Sequence, residues 1–375
     1  MAPPKKAKTV KKASAMEQDT KVNVTESELH KKFGIQMEGI ADSEYLELKD
    51  KLLHALFTTI AQTPAGIMRG KVVEISGKSD VGKTMFATSL LLAIAEVSPT
   101  RKTFFSDAER AQTKERLIEM KYDPTKTIYQ KPPFGEAALD GIAYLFTVKH
   151  AIAGILDSST SCLPEKESQG GGGAMAAQAK MMTDKMKIID KAVADVGGIL
   201  FIISQVKTKP GFTMGNPDYI SSGGSAVGFH SRLRLALSRV DIRKDKETQQ
   251  QLGYTLRVKV IKNHCGYHVT SSFDIIVNNE FQILYPETVV AWAGDYDLVD
   301  KTAKTIAGIE YKGHGYEKDL IAAITGKELD VFAAVNVAIQ ARRKGPIIDI
   351  DKQEDTEKDN FGIEEEWGDA DSATA

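Results

Sequence analysis

A chain of 375 residues, 42% of them hydrophobic and 27% charged, can bury one large core and still carry a small appendix. Its two cysteines, Cys162 and Cys265, lie outside any C-x-x-C spacing, which argues against a disulfide framework or a structural zinc site and predicts a reducing, cytoplasmic compartment. No apolar run reaches the ~18 residues a membrane span needs, and no signal-peptide pattern opens the chain.

The net charge of −2 conceals opposed ends. Residues 1–14 hold five lysines and no acid, and the stretch to about Val24 reads as a disordered basic tail. Lys5-Lys6-Ala7-Lys8 has the form of a short nuclear-import patch, and equally of an ordinary lysine tail. Residues 25–64 read as an N-terminal helical segment. Thr25-x-x-Glu28 has the form of a capping box that would open a short helix through Leu29 and Phe33. A second helix is expected from about Ser43 to Gln62. It would place Tyr45, Leu48, Leu52 and Leu56 on one stripe, with Leu46, Leu53, Phe57 and Ile60 beside it. Pro64 and Gly66 would end it, and its apolar face would pack on the core or on a neighbouring protomer.

From residue 65 to 285 the pattern becomes strand, loop and helix in alternation. Short apolar strands are expected at Val72–Ile75, Thr103–Ser106, Ile152–Leu156, Ile199–Ile203, Leu256–Ile261 and Phe273–Val277. Such alternation gives an α/β fold, a mainly parallel sheet flanked by helices, and the closely spaced later strands predict an antiparallel extension at one edge. Residues 286–345 would form a small α-rich C-terminal domain with a helix near Asp330–Arg343. Residues 346–375 read as a disordered acidic tail, in which eleven acids stand against two lysines. Such a tail can compete for cationic surface with nucleic acid, or simply be solvated.

The strongest chemical signal follows the first core strand. Gly77-Lys78-Ser79-Asp80-Val81-Gly82-Lys83-Thr84 is G-x-x-x-x-G-K-T, placed after a strand and opening a helix, the setting of a phosphate-binding loop. Its glycines let successive backbone N–H groups face phosphate oxygens at a helix N-terminus. Lys83 would reach the β- and γ-phosphates, and the Thr84 hydroxyl would ligate Mg²⁺. Ala151-Ile152-Ala153-Gly154-Ile155-Leu156-Asp157 is an apolar run ending in a carboxylate, so Asp157 would anchor the same ion through a water. Taken alone, such an aspartate is more often a cap or turn residue.

Further motifs fall in order around these two: Phe104-Phe105-Ser106-Asp107-Ala108-Glu109-Arg110-Ala111, Phe201-Ile202-Ile203-Ser204-Gln205-Val206, Met214-Gly215-Asn216-Pro217, Ser222-Gly223-Gly224 and Arg257-Val258-Lys259-Val260-Ile261-Lys262-Asn263. At these intervals the chain resembles the RecA recombinase family, bacteriophage members included, from about Gly70 to Tyr285. A fainter likeness runs through Tyr311-Lys312-Gly313, and the first ~65 residues show no clear match. The resemblance implies a RecA-like P-loop ATPase core that uses ATP and Mg²⁺. It also implies filament formation on single-stranded DNA, pairing with homologous duplex DNA, and a single-strand-binding protein or loader as a further partner.

Residue by residue, the resemblance implies that Glu109 is the general base toward the γ-phosphate and Gln205 the γ-phosphate sensor. It makes residues 206–224 a DNA-binding loop containing Lys207, Lys209, Gly211, Phe212, Met214, Gly215, Asn216, Gly223 and Gly224. Met214 stands where an aromatic wedge is usual, so the wedge is Met214 or Phe212. A first DNA-binding loop would span residues 166–175 and order on binding DNA. Lys262 and His264 match a cationic pair that reaches a neighbour's γ-phosphate, although His264 replaces the usual lysine and reads equally as a packed interface histidine. Arg116 stands where a tyrosine stacks on adenine, a place a guanidinium plane can also take. Phe229 matches a contact at the protomer interface, with core packing as the other reading. Two other functions stay open: an accessory paralogue that binds ATP and DNA without exchanging strands, and a ring helicase built on the same core.

Overall fold

The computed structural model describes residues 44–168, 174–208, 219–221, 225–245, 247–267 and 271–344. The capping box at Thr25, both charged tails, and the loop residues Lys209, Gly211, Phe212, Met214, Gly215, Asn216, Gly223 and Gly224 lie outside them, as do residues 169–173 of the first loop.

The chain opens with β1 (Tyr45–Leu46), α1 (Lys51–Ala61), β2 (Ile67–Met68), β3 (Lys71–Gly77), α2 (Lys83–Val97), β4 (Thr103–Asp107), α3 (Lys114–Glu119) and β5 (Thr127–Gln130). It continues with α4 (Gly135–Thr147), β6 (Ala153–Asp157), α5 (Glu165–Ser168), α6 (Ala174–Asp195), β7 (Ile199–Thr208), β8 (Tyr219–Ser221), α7 (Ser225–His230), β9 (Ser231–Lys244), β10 (Gln251–Asn263) and β11 (Ser272–Asn278). The last part holds α8 (Tyr285–Asp295), a small sheet of β12 (Val299–Asp300), β13 (Thr305–Ile306) and β14 (Ile309–Glu310), then α9 (Glu317–Ile324) and α10 (Glu328–Lys344).

The central sheet has the order β11-β10-β9-β3-β7-β6-β4-β5, with β8 paired to β7. Neighbours from β9 to β5 run parallel, and β10 and β11 extend the β9 edge antiparallel. The expected mainly parallel sheet with an antiparallel extension is therefore present. Side chains alternate between its two faces as the pleat demands. Val73, Ile75, Phe105, Phe201 and Ile203 enter one core cluster, whereas Val72, Phe104, Leu200 and Ile202 enter the other. Both faces are covered, so both alternating sets are apolar. Each fully buried Phe or Leu contributes roughly 1.5–3 kcal/mol relative to exposure.

The expected elements need correction at two places, the first helix and the strands. The helix expected from Ser43 begins at Lys51, because the Asp50 carboxylate accepts from the N–H groups of Leu52 and Leu53, 3.0 Å each, and fixes the N-cap there. Tyr45 and Leu46 instead pair as strand with Met68 and Ile67. The helix ends at Ala61 with Gln62 left-handed at φ 50°, before Pro64 is reached. Of the central sheet, β5, β8 and β9 were not among the expected strands, nor were the short β1, β2 and β12–β14. β5 is a four-residue edge strand, and β9 carries an arginine at every second position early in its length, so its buried Leu233, Leu235 and Leu237 form no apolar run. The apolar face of α1 is covered within this chain: Leu53, Leu56, Phe57 and Ile60 join one core cluster with Val331, Phe332, Val335 and Ile339 of α10. The C-terminal segment contributes to that same cluster through Trp292, Leu320 and Ile324. Cys162 and Cys265 are both buried free thiols. Among the described residues, no helix is long and apolar enough to cross a membrane.

Candidate active site

Strand register collects the site. Gly77 of β3 pairs with Gln205 of β7, Asp157 of β6 pairs with Ile203 of β7, and Asp107 of β4 pairs with Asp157. The carboxyl ends of four parallel strands thus lie side by side, the edge where open α/β sheets bind ligands.

The 77–84 loop joins β3 to α2. Its backbone turns left-handed at Asp80 (φ 59°) and at Gly82 (φ 99°). Gly82 is required twice over, since a Cβ there would fall 1.9 Å from the Phe281 ring. Among the described residues no side chain caps α2, so its first N–H groups are open to a ligand. Arg239 of β9 donates to the Asp80 carbonyl (2.8 Å) and stacks on Tyr254 (3.9 Å to the ring centre), bracing the loop from the neighbouring strand. Lys83 is buried, with Nζ folded back onto the Lys78 carbonyl at 2.6 Å. Burial pushes its pKa below the usual lysine value, against the pull of Asp157, Glu109 and Asp80.

Asp157 faces the loop from β6. The Thr84 hydroxyl donates to its Oδ2 at 2.8 Å, and its buried Oδ1 has no hydrogen-bond partner among the described residues. A buried carboxylate oxygen without a partner beside a hydroxyl oxygen fits a hard divalent cation that keeps its waters, so Thr84 and Asp157 are the residues that would hold Mg²⁺. Burial pushes the Asp157 carboxyl up to about 7, opposed by the Thr84 hydrogen bond and helped by Glu109 and Asp107. The folded protein therefore holds this proton more tightly than the unfolded chain does. Stability is lost as pH rises from the usual carboxylate range to about 7, and levels off above it. In magnesium-free and nucleotide-free protein, Asp157→Asn is expected to raise the calorimetric midpoint at about pH 8 but not at about pH 4. A lower midpoint at the alkaline pH would contradict this.

Glu109 and Gln205, which the resemblance singled out separately, meet: Gln205 Nε2 donates to Glu109 Oε1 at 2.9 Å. The Glu109 N–H bonds to the Asp157 carbonyl (2.9 Å). Asp107, which the sequence reading passed over, shapes this loop by accepting from the N–H groups of Ala111 and Gln112 (3.2 Å each) and from the Tyr129 hydroxyl (2.5 Å). The Gln205–Glu109 and Tyr129–Asp107 bonds join separate strands, so no local pattern announces them, whereas the Asp107 bonds to Ala111 and Gln112 lie within one loop.

The remaining candidates are placed elsewhere. Arg116 is exposed on the six-residue α3, and no hydrogen bond or ion pair among the described residues joins its guanidinium to the 77–84 loop. Lys262 sits at the other end of the sheet. Its Nζ bonds to the carbonyls of Gly228 (3.1 Å) and Phe229 (3.2 Å), which precede β9. Since Ser231 pairs with Val72, this ammonium lies about five residues, or about 16 Å, below Gly77 along the strands. Burial, with Arg232 and Arg234 nearby, pushes its pKa below the usual lysine value. His264 is exposed beside it, its N–H bonded to the Arg232 carbonyl. Phe229 is 75% exposed, which removes the core-packing reading within this chain.

These features define an α/β protein with a RecA-like core. A family model of the RecA N-terminal domain matches residues 20–289, and the chain belongs to the RecA family. It is 28% identical to Protein RecA of Parasynechococcus marenigrum over 338 residues, covering 88% of this chain and 86% of that relative. It is likewise 29% identical to Protein RecA of Lactobacillus delbrueckii over 306 residues (78% of each chain), and 28% identical to that of Zymomonas mobilis over 333 residues (88% and 89%). The family is one of DNA recombination and repair, whose members bind DNA and use ATP with Mg²⁺.

Proposed function

We propose that this protein is a DNA-dependent ATPase that assembles as a filament on single-stranded DNA and pairs that strand with homologous duplex DNA. The Glu109–Gln205 hydrogen bond at the mouth of the 77–84 loop carries the reading, because it joins a base for hydrolysis to the root of the segment that would hold DNA. Lys83 and the open N-terminus of α2 bind and orient the triphosphate. Mg²⁺, held by Thr84 and Asp157, supplies charge neutralisation on the phosphate oxygens when bound. Glu109 takes the proton of the attacking water, and Gln205 holds its carboxylate in place.

Three residues beyond Gln205, β7 ends. β8 returns to pair with it, Val206 with Ser221 and Thr208 with Tyr219, so both ends of the intervening segment are fixed beside the phosphate sensor. The amide has two hydrogens, so keeping Glu109 with one and reaching a phosphate oxygen with the other would shift the root of this segment, which is the coupling of nucleotide state to DNA affinity. Lys207 and Lys209 with Met214 or Phe212 are assigned to phosphates and bases. Lys262 cannot serve the nucleotide of its own chain, given the length of strand between them. Together with the exposed Phe229 and His264, it suits the next protomer's phosphates.

Glu109→Gln tests the assignment. ATP affinity should stay within about threefold while DNA-stimulated turnover falls by ~10²–10⁴, read by phosphate release with and without single-stranded DNA. Turnover near wild type would remove Glu109 as the base. D-loop formation by the wild type separates this reading from the accessory paralogue, which would turn over ATP without pairing strands. Unwinding of a forked duplex would mark the ring helicase.

A further inference from the structure

We propose that Gln178 is a positioning residue for the Glu109–Gln205 pair, acting from α6 through the turn that follows Asp157. The inference rests on the hydrolytic reading above. It starts from a buried amide with an unusual load. Gln178 lies in the first half of α6 and is buried, with 8% of its surface exposed. Its Nε2 faces three carbonyl oxygens of one tight turn: Ser159 at 3.2 Å, Thr160 at 3.0 Å and Cys162 at 3.1 Å. An amide nitrogen has two hydrogens, so at least one is shared between acceptors. Residues 159–161 form a single 3-10 turn in which the Ser159 carbonyl also takes the Cys162 N–H at 3.4 Å, so the amide chiefly serves the Thr160 and Cys162 carbonyls.

That turn is the support of Gln205. The Gln205 N–H donates to Thr160 Oγ1 at 3.1 Å, the Ser159 and Ser204 hydroxyls meet at 2.9 Å, and Ser159 Oγ donates to the Ile203 carbonyl at 3.3 Å. Asp157, the carboxylate facing Thr84, lies just before the same turn. A continuous path of hydrogen bonds thus runs from α6 through Gln178, the 159–162 turn, Thr160 and Gln205 to Glu109. In the sequence α6 opens directly after Gly170–Gly173, so the path links the helix beyond that glycine run to the hydrolytic pair. Core packing alone does not need this arrangement. A leucine at 178 would fill the space but take the amide donor from the Thr160 and Cys162 carbonyls and leave Ser159 only the 3.4 Å bond from the Cys162 N–H.

The experiment measures ATP turnover and ATP affinity on the full-length protein with and without single-stranded DNA. Gln178→Met keeps the length and apolar bulk and removes the donor. It is expected to lower kcat about tenfold while the Kd for ATP stays within about twofold. Thr160→Val removes the acceptor for the Gln205 N–H, leaves Gln178 in place and is expected to show the same split. On a Gln205→Ala background, either change should add less than about twofold, because the residue each acts through is already gone. Turnover within about twofold of wild type in both variants would overturn the proposal, as would a full tenfold loss added to Gln205→Ala. Should Gln178→Met fail to fold, Thr160→Val decides alone. A wild type that turns over no ATP with DNA present brings down the hydrolytic reading itself, before any variant is made, and this proposal with it.

Discussion

Lys83→Ala is expected to weaken ATP binding by roughly 100-fold or more, with the fold intact, as read by calorimetric titration and circular dichroism. The reason is local. In this structure the ammonium is buried, turned inward onto the Lys78 carbonyl, and lies within the fields of Asp157, Glu109 and Asp80. Those three carboxylates are left without their ammonium once the lysine is removed, and a triphosphate entering would have only Mg²⁺ and the open N-terminus of α2 to offset its charge. Truncating one partner of a buried, hydrogen-bonded charge pair costs about 2–5 kcal/mol, which sets the expected loss. DNA binding that depends on nucleotide should disappear with it. Near-normal ATP affinity in Lys83→Ala would mean that the 77–84 loop is not where the phosphates bind.

Lys262→Ala should give the opposite division. A single protomer should bind ATP within about twofold of wild type, while DNA-stimulated turnover falls by ~10³, the scale of a cation supplied across a subunit boundary. The geometry supports the split, because Lys262 points toward Gly228 and Phe229 at the amino-terminal edge of the strands, and the 77–84 loop lies at the carboxyl edge. Two copies stacked with these edges in contact would bring the ammonium to a phosphate. Mixing separates a shared site from a folding defect. A Lys262→Ala protomer still has a whole loop, and a Lys83→Ala protomer still has its Lys262, so equal mixing should restore part of the turnover that neither shows alone. Turnover of Lys262→Ala within about twofold of wild type would remove the shared-site assignment. Burial, with Arg232 and Arg234 nearby, holds the Lys262 pKa below the usual lysine value, and an arriving phosphate would draw it back up.

The legible parts of this site are those whose chemistry imposes a local pattern. Phosphate binding needs a strand, a glycine-containing turn and a helix in immediate succession, so residues 77–84 stand out unaided. Asp157 could be read only as an apolar strand ending in a carboxylate. Its unpartnered Oδ1 and its bond to Thr84 are tertiary facts. Glu109 and Gln205 are 96 positions apart, and neither neighbourhood contains a signal for the other; strand order brings them together. Arg239, Phe281 and Gln178 carry no local signal because each does its work by touching a backbone that comes from another part of the chain. The same distinction explains the fold. Continuous apolar strands such as Ile199–Ile203 were readable because both faces of the sheet are covered, whereas β9 alternates leucine with arginine and hides its buried face. The start of α1 depended on one side chain, Asp50, where amphipathic spacing alone had extended the helix back to Ser43.

Electron microscopy of the protein with single-stranded DNA, Mg²⁺ and a non-hydrolysable ATP analogue bears most directly on whether the nucleotide is held between copies. Regular helical filaments that require both nucleotide and DNA are the predicted result, and Lys83→Ala should not form them. Protein that stays monomeric with both supplied would contradict the account.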